Sequence, residues 1–146
     1  MLQGLLTVAW IFPLCTARHR LRVKGWWSQA LLEILGLRLE AAVDHVPPGS
    51  MLVANHISWL DIFVINAALP AAFVAKDDVR HWPLVGWLAS VNDTVFLRRG
   101  SRKHAALLNG AIGAILARGH HVAAFPEGTT TDGTRVLHFH GALIQP

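Results

Sequence analysis

A histidine and an aspartate stand five positions apart in the segment Val53–Asp61. Such a pair can act as a general base, because the carboxylate orients the imidazole while the imidazole takes a proton from a hydroxyl. On one continuous helix, His56 and Asp61 would lie about 140° apart and would not pair. A strand that ends at His56, followed by a helix that begins near Ser58, allows the pairing. The spacing therefore predicts a strand, a turn and a helix around these two residues.

The same residues also fit a purely structural explanation. Ser58 and Asp61 match an acidic capping box at a helix start, with Asn55 in the preceding turn. The local pattern leaves both explanations open.

The composition favours a membrane surface or an anionic substrate. Of the 146 residues, 53% are hydrophobic and 15% are charged; the formal net charge is +4, and six residues are tryptophan. The basic residues do not form a stripe with aromatics, and we expect no nucleic-acid partner. The single cysteine, Cys15, excludes a disulfide within the chain.

Strand-like and helix-like segments alternate after the chain break at Val46–Ser50. This alternation predicts an α/β domain with a mainly parallel sheet flanked by helices. We expect strands over 51–54, 72–75, 94–97 and 122–125, helices over 58–69 and 101–117 (the latter closed by Gly119), and a short helix or turn over 82–91.

Each predicted strand ends at a polar or charged residue. Ligands of open α/β sheets bind beyond the carboxyl ends of the strands. The pattern therefore predicts one site, built from the residues at these ends: His56, Lys76, Arg98 with Arg99, and Glu127.

Two of these strand ends allow more than one role. Arg98 and Arg99 precede a predicted helix, where an anion site and a solvated basic turn at a membrane face are both consistent with the sequence. Glu127 lies on a tight turn before Gly128. Its carboxylate can bind a substrate hydroxyl, hold Arg98 or Arg99, or cap the next segment.

The remaining reactive side chains form no recognisable site. No serine lies in a GxSxG pattern and Cys15 lies in an apolar run, which disfavours a covalent enzyme intermediate. The other histidines lack acidic or cysteine companions at metal-ligand spacing, so we interpret them as surface or structural residues and expect no metal. They include His120, His121, His138 and His140.

The N-terminal segment is expected to associate with a membrane. The apolar run Leu2–Ala17 is short for a spanning helix, and the basic run Arg18–Lys24 follows it, which places the rest of the chain at the cytosolic face of the cytoplasmic membrane. Trp26–Leu37 repeats apolar residues at helical spacing. We expect an embedded or interfacial helical hairpin within residues 1–45 and the α/β domain over 46–146. A helix pair buried in the core is the alternative.

Three motifs of this chain, and their order along it, resemble those of the glycerolipid acyltransferase family, whose familiar members are lysophosphatidic acid acyltransferases. Asn55, His56 and Asp61 match the first motif, NHxxxxD. Phe125–Thr129 match the third, FPEGT. The segments between them that are also similar to the family are Phe73–Lys76, Trp82–Trp87 and Phe96–Arg99, with Arg98 or Arg99 at the phosphate-binding arginine of the second motif.

The resemblance implies a glycerol-3-phosphate acyltransferase-like fold and an O-acyltransferase of phospholipid biosynthesis. His56, oriented by Asp61, would deprotonate the free hydroxyl of a lysolipid such as 1-acylglycerol-3-phosphate. The alkoxide would then attack the thioester of acyl-CoA or acyl-carrier protein, and no cofactor or metal beyond this co-substrate is implied. The substrate-binding residues would be Lys76, Arg98, Arg99, Glu127, Gly128 and Thr129.

The sequence departs from the family pattern in two places. Thr130 replaces the arginine that usually follows FPEGT, which resembles the bacterial branch that includes lyso-ornithine lipid acyltransferases. This replacement fits an acceptor whose head group is not a simple phosphomonoester. The fourth motif, a Val-Pro pair on a later strand, is missing before Pro146, so we expect an α/β domain that is incomplete at its C-terminal end.

Two other interpretations are consistent with the sequence. A condensation-type acyltransferase also uses a histidine near an aspartate, but it prefers a second histidine where Asn55 stands and a glycine where Ile62 stands. A non-catalytic membrane-binding remnant would retain lipid association and lack activity.

Overall fold

The computed structural model describes residues 16–83, 85–97 and 102–141. These residues divide into two compact units. The helical unit contains the described residues up to His45 together with Trp59–Ala71. The sheet unit contains Val46–Ser58 and the described residues from Ala72 onwards. Residues 59–71 thus belong to the helical unit, although the predicted division placed them in the α/β domain.

Helices and strands alternate along the described chain, as the sequence predicts. The strands form one sheet of four in the order β1-β4-β2-β3, and the β1–β4 and β2–β3 pairs are both parallel. The fold is therefore a parallel-sheet α/β fold. Its elements are α1 (Ala17–Ile34), β1 (Met51–Val53), α2 (Asp61–Ala68), β2 (Ala71–Lys76), a 3₁₀ helix (Asp77–His81), α3 (Val85–Val91), β3 (Val95–Leu97), α4 (Arg102–Ala117) and β4 (His121–Ala124).

The core of the sheet unit lies between α4 and the sheet. Leu108, Ile112 and Ile115 recur at helical spacing, and this apolar face of α4 packs with the buried strand residues Ala72 and Val122. Burial of such a stripe, more than intrinsic propensity, stabilises a helix of this length.

The end of α4 confirms the predicted closure at Gly119. This residue has a φ of 78°, in the left-handed region that glycine adopts without a side-chain clash. Its N–H donates to the carbonyl of Leu116 at 2.9 Å. The chain then turns directly into β4.

Side chains of α1 hold the end of α2 within the helical unit. The last carbonyls of a helix lack intrahelical partners and need donors from elsewhere. Gln29 Nε2 donates to the carbonyl of Ala67, in the last turn of α2, at 3.0 Å. The buried Lys24 Nζ donates at the same distance to the carbonyl of Ala71, the first residue of β2. The Trp27 and Phe63 rings also pack against each other, with centroids 5.5 Å apart.

The structure corrects the predicted start of the first helix. It begins at Ala17 rather than at Trp26, because the Thr16 side chain accepts a hydrogen bond from the His19 N–H and caps the helix. The basic run is therefore part of α1, and one of its members, Lys24, is buried.

Membrane association of the N-terminal segment, residues 1–45, stays a prediction. The apolar run before Thr16 lies outside the described residues. Among the helices of residues 16–83, 85–97 and 102–141, none is both long enough and apolar enough to cross a bilayer.

Candidate active site

The first and third motifs meet at the carboxyl ends of β1 and β4. Val53 and Ala124 are partners in the parallel ladder, so the chain leaves both strands side by side at the same edge of the sheet. Asn55 Nδ2 donates to Glu127 Oε1 at 2.8 Å, across 72 positions of sequence. Pairing of β1 with β4 thus brings residues of the two motifs into direct contact.

The His56 imidazole lies against an aromatic surface. Its ring is stacked on Phe125, with centroids 4.1 Å apart and planes 15° apart, and Phe125 in turn faces Phe73 at 6.0 Å. The backbone of His56 is also held: its carbonyl accepts from the Thr131 N–H at 2.8 Å. The position and plane of a nitrogen base are therefore set by contacts within the sheet unit.

The helix after the histidine begins later than predicted. Residues 54–58 form no helix, and α2 starts at Asp61 rather than near Ser58. The cause is that the backbone groups of His56 bond to Glu127 and Thr131, which keeps this stretch out of a helical conformation. Leu60, rather than Ser58, occupies the N-cap position, and its own side chain makes no cap hydrogen bond. The capping-box explanation stays a prediction.

Asp61 is the first residue of α2. A carboxylate in the first turn interacts favourably with the positive end of the helix dipole. Asp61 belongs to the helical unit, whereas His56 belongs to the sheet unit. Orientation of the imidazole by Asp61 stays a prediction.

Glu127 is buried in the turn after β4, with only 3% of its surface exposed. Burying a carboxylate is unfavourable unless donors surround it. Besides Asn55, the backbone N–H groups of Leu137 (3.3 Å to Oε1) and His56 (3.5 Å to Oε2) supply them. Of the three predicted uses of Glu127, the structure shows contacts of the capping kind, and its binding of substrate stays a prediction.

The other predicted site residues are distributed along the same sheet. Gly128 has a φ of 67°, its N–H donates to the carbonyl of Phe125 at 3.0 Å, and Thr129 after it is exposed. Lys76 is the exposed last residue of β2, the strand next to β4. Arg98 and Arg99 follow β3 and lie outside the described residues.

A cavity of about 300 Å³ lies beside residues 54–58, which we call the histidine segment. Burial alternates along residues 54–58, so that Asn55 and Ile57 are exposed while His56 is half-buried. The cavity is lined by the two exposed residues of this stretch, and His56 is not among its lining residues. Its walls are formed by Asn55, Ile57, Thr131, Gly133, Thr134, Arg135 and Val136.

The loop at this cavity is held by one aspartate. The hydroxyl and then the N–H of Thr134 donate to Asp132, and these bonds lower the pKa of that carboxyl from its ordinary value. A lowered pKa keeps Asp132 ionised down to a more acid pH than a free aspartate. The loop contacts are therefore fully formed at neutral pH.

Sequence reasoning assigned no role to two residues that shape the site. Phe125 provides the surface on which the histidine ring lies, and the Leu137 N–H binds the buried carboxylate. No spacing rule connects either residue to His56. The available signal is indirect: Phe125 is the first residue of the FPEGT motif and stands at the end of a predicted strand.

Comparisons with known proteins identify the family of the chain. Residues 41–145 match the family model described as Acyltransferase. A lyso-ornithine lipid O-acyltransferase from Pseudomonas aeruginosa is 40% identical over 125 residues, which cover 86% of this chain and 48% of that protein. A 1-acyl-sn-glycerol-3-phosphate acyltransferase from Neisseria gonorrhoeae is 39% identical over 121 residues, which cover 83% and 47%. The chain thus spans about half the length of these curated relatives.

A solved structure has the same fold. The crystal structure of the 1-acyl-sn-glycerophosphate acyltransferase from Thermotoga maritima superposes with a TM-score of 0.68 at 26% identity, over 94% of this chain and 58% of that one. The family match covers most of the chain, including both motifs that the sheet brings together. The chain belongs to the acyltransferase family.

Proposed function

We propose that this chain carries the catalytic base of an O-acyltransferase, which moves a fatty acyl group from acyl-CoA or acyl-carrier protein to the free hydroxyl of a lysolipid. One observation supports this most: His56 is held at the end of β1 beside the FPEG turn, in a member of the acyltransferase family. A histidine so placed is suited to proton transfer at a hydroxyl.

The reaction proceeds by direct transfer. A ring nitrogen of His56 takes the hydroxyl proton as the oxygen attacks the thioester carbonyl carbon. The tetrahedral intermediate then collapses, the carbon–sulfur bond breaks, and the thiolate takes the proton from the imidazolium. Asp61 orients the ring and stabilises its charged form. A general base of this kind contributes about 10²–10⁴-fold to the rate.

The acceptor is a lysolipid of phospholipid biosynthesis or a related lysolipid. Relatives of similar identity carry both kinds of name, lyso-ornithine lipid and 1-acyl-sn-glycerol-3-phosphate acyltransferase. Lys76, Arg98 and Arg99 bind the anionic group of the acceptor, because ammonium and guanidinium groups pair with carboxylate and phosphate oxygens. Gly128 and Thr129 line the acceptor site.

The helical unit associates with the cytosolic face of the cytoplasmic membrane, where lysolipids reside. Trp26 and Trp59 expose 60% and 56% of their surfaces, and Arg18 and Arg22 are exposed on α1. Tryptophans are suited to the depth of the lipid head groups, and arginines are attracted to anionic lipids.

Transfer of a labelled acyl chain tests the function. Membranes that contain this chain would be supplied with acyl-CoA or acyl-carrier protein as donor, and with lysophosphatidate or lyso-ornithine lipid as acceptor. We expect product with at least one acceptor, and a loss of at least about 100-fold in His56→Ala. His138→Ala, which removes an exposed histidine, is the matched control and should retain the activity.

Two results would contradict the proposal. Wild-type transfer by His56→Ala would exclude the histidine as the base. A folded, membrane-bound chain that forms no product with any pair of substrates would favour the non-catalytic remnant.

A further inference from the structure

We infer that Glu127 is a positioning residue, whose buried carboxylate holds the histidine segment in register with the turn after β4 instead of contacting the acceptor. The inference rests on the proposed function in one respect only, namely that the histidine being positioned is the base.

The surroundings of Glu127 leave little room for a ligand. Only 3% of the residue is exposed to solvent. Oε1 accepts from Asn55 Nδ2 at 2.8 Å and from the Leu137 N–H at 3.3 Å, and Oε2 accepts from the His56 N–H at 3.5 Å. The carboxylate thus accepts from three donors of the protein, and its burial keeps a substrate hydroxyl from reaching it.

Glu127 and its three donors come from three separate parts of the sheet unit. Asn55 and His56 follow β1, Glu127 itself follows β4, and Leu137 lies beyond the loop at the cavity. One carboxylate therefore connects three segments whose relative positions are not fixed by any short covalent link. A misplacement of reacting groups by about 1 Å is enough to reduce a rate by about 100-fold.

The stacking of His56 on Phe125 depends on this alignment. The His56 ring can stack on Phe125 at 4.1 Å only while the segments after β1 and β4 remain in register. Bonds from the Thr131 N–H to the His56 carbonyl, and from the His140 N–H to the Pro126 carbonyl, tie the same region together. Glu127 is the charged group at this junction, and ionic acceptors make the stronger hydrogen bonds.

A carboxylate suits this junction better than an amide does. All three partners are N–H donors, and an ionised carboxylate only accepts, whereas a glutamine would point an NH₂ group at one of them. Asn55 must likewise donate a hydrogen bond, because its partner is the Glu127 carboxylate, which only accepts. An aspartate at position 55 would face the carboxylate of Glu127 across a 2.8 Å contact.

Kinetics separate positioning from acceptor binding. In Glu127→Gln we expect kcat to fall by about 100-fold, while KM for acceptor and donor changes by less than about twofold. Asn55→Asp should be similarly impaired. Adding Glu127→Gln to Asn55→Asp should recover at least about tenfold, because the introduced amide can donate to the introduced carboxylate. An increase of tenfold or more in the acceptor KM with kcat retained, and no recovery in the double variant, would overturn the inference.

A second measurement does not depend on turnover. In the chain labelled at histidine, the ring resonance of His56, assigned with His56→Ala, reports its stacking on Phe125. Glu127→Gln should move this resonance towards its value in the unfolded chain. His121, whose Nδ1 accepts from the Ser50 N–H at 3.3 Å, is the internal control and should not move.

The resonances also distinguish the possible failures. If the wild-type chain transfers no acyl group but the His56 resonance shifts as expected, the proposed function fails and the positioning role stands. If the His121 resonance also collapses, the variant is unfolded, and Asn55→Ala decides instead because Asn55 is exposed. A shifted His56 resonance in Asn55→Ala supports the inference, and an unchanged one in either folded variant overturns it.

Discussion

At the scale of single residues, the plane of one histidine depends on partners far away in the sequence. His56 stacks on Phe125 and donates its backbone N–H to Glu127, both of which follow a different strand. Asn55, its immediate neighbour, is likewise directed at Glu127. The histidine is therefore held by the sheet, through the turns that follow two adjacent strands.

The role of Asp61 can be tested separately from its effect on the helix. If Asp61 orients His56, Asp61→Asn should lower kcat by about 10²–10⁴-fold. If it acts only at the start of α2, the variant should lose about 0.3–1 kcal/mol of unfolding free energy and retain its activity. Acyl transfer and urea denaturation measure the two effects. Asp78→Asn, at an exposed carboxylate, is the control for a change of charge.

At the scale of secondary-structure elements, the linker before β1 is closely packed against the end of α4. Gly49 has a φ of 74°, and a Cβ atom at this position would clash with the backbone carbonyl oxygen of Leu116. Both features require glycine. The proline-rich break that the sequence places at the start of the α/β domain is thus a packed turn rather than a loose connection.

Two glycine variants, for which we expect opposite changes in the free energy of unfolding, test this packing. Gly49→Ala should reduce the free energy of unfolding by about 2–4 kcal/mol, since it combines a left-handed backbone with a steric clash. A Cβ atom at Gly110, within α4, would meet no atom within 4 Å. Gly110→Ala should therefore raise the free energy of unfolding by about 0.5–1 kcal/mol through helix propensity. Urea denaturation of both variants provides the comparison. Equal stability of Gly49→Ala and the unchanged chain would refute the packed turn.

At the scale of the whole molecule, exposed tryptophans occur in both units. Trp26 and Trp59 belong to the helical unit, whereas Trp82 and Trp87 belong to the sheet unit. The helical unit also carries the exposed arginines of α1 described above. On α1 the exposed Arg22 and Trp26 stand four positions apart and so share one face of the helix, which is the reason that we assign membrane association to the helical unit.

Vesicle binding tests this assignment. Replacing Trp26 and Trp59 by alanine should weaken binding to vesicles that contain anionic lipid by at least about tenfold, because burial of one large apolar side chain contributes about 1.5–3 kcal/mol. The matched control replaces Trp82 and Trp87, and it should bind as the unchanged chain does. Equal losses in the two double variants would show that the membrane-binding surface is not confined to the helical unit.

The sequence by itself determined the order of the elements and the identity of the family. Hydrophobic periodicity is a local property, so the strands and the helix α4 could be predicted to within a residue or two. The motifs NHxxxxD and FPEGT are also local, and the family match over residues 41–145 confirms the resemblance that they indicated. The parallel direction of the sheet followed from the alternation of its strands with helices.

Only the tertiary structure decided how the site is assembled. The late start of α2 at Asp61, the burial of Glu127 and the stacking of His56 on Phe125 all follow from the pairing of β1 with β4. Strand order depends on packing between segments that are distant along the chain, and no local pattern encodes it. For the same reason the sequence did not show that Lys24, within the basic run, is buried: its burial depends on the carbonyl of Ala71, which belongs to another element.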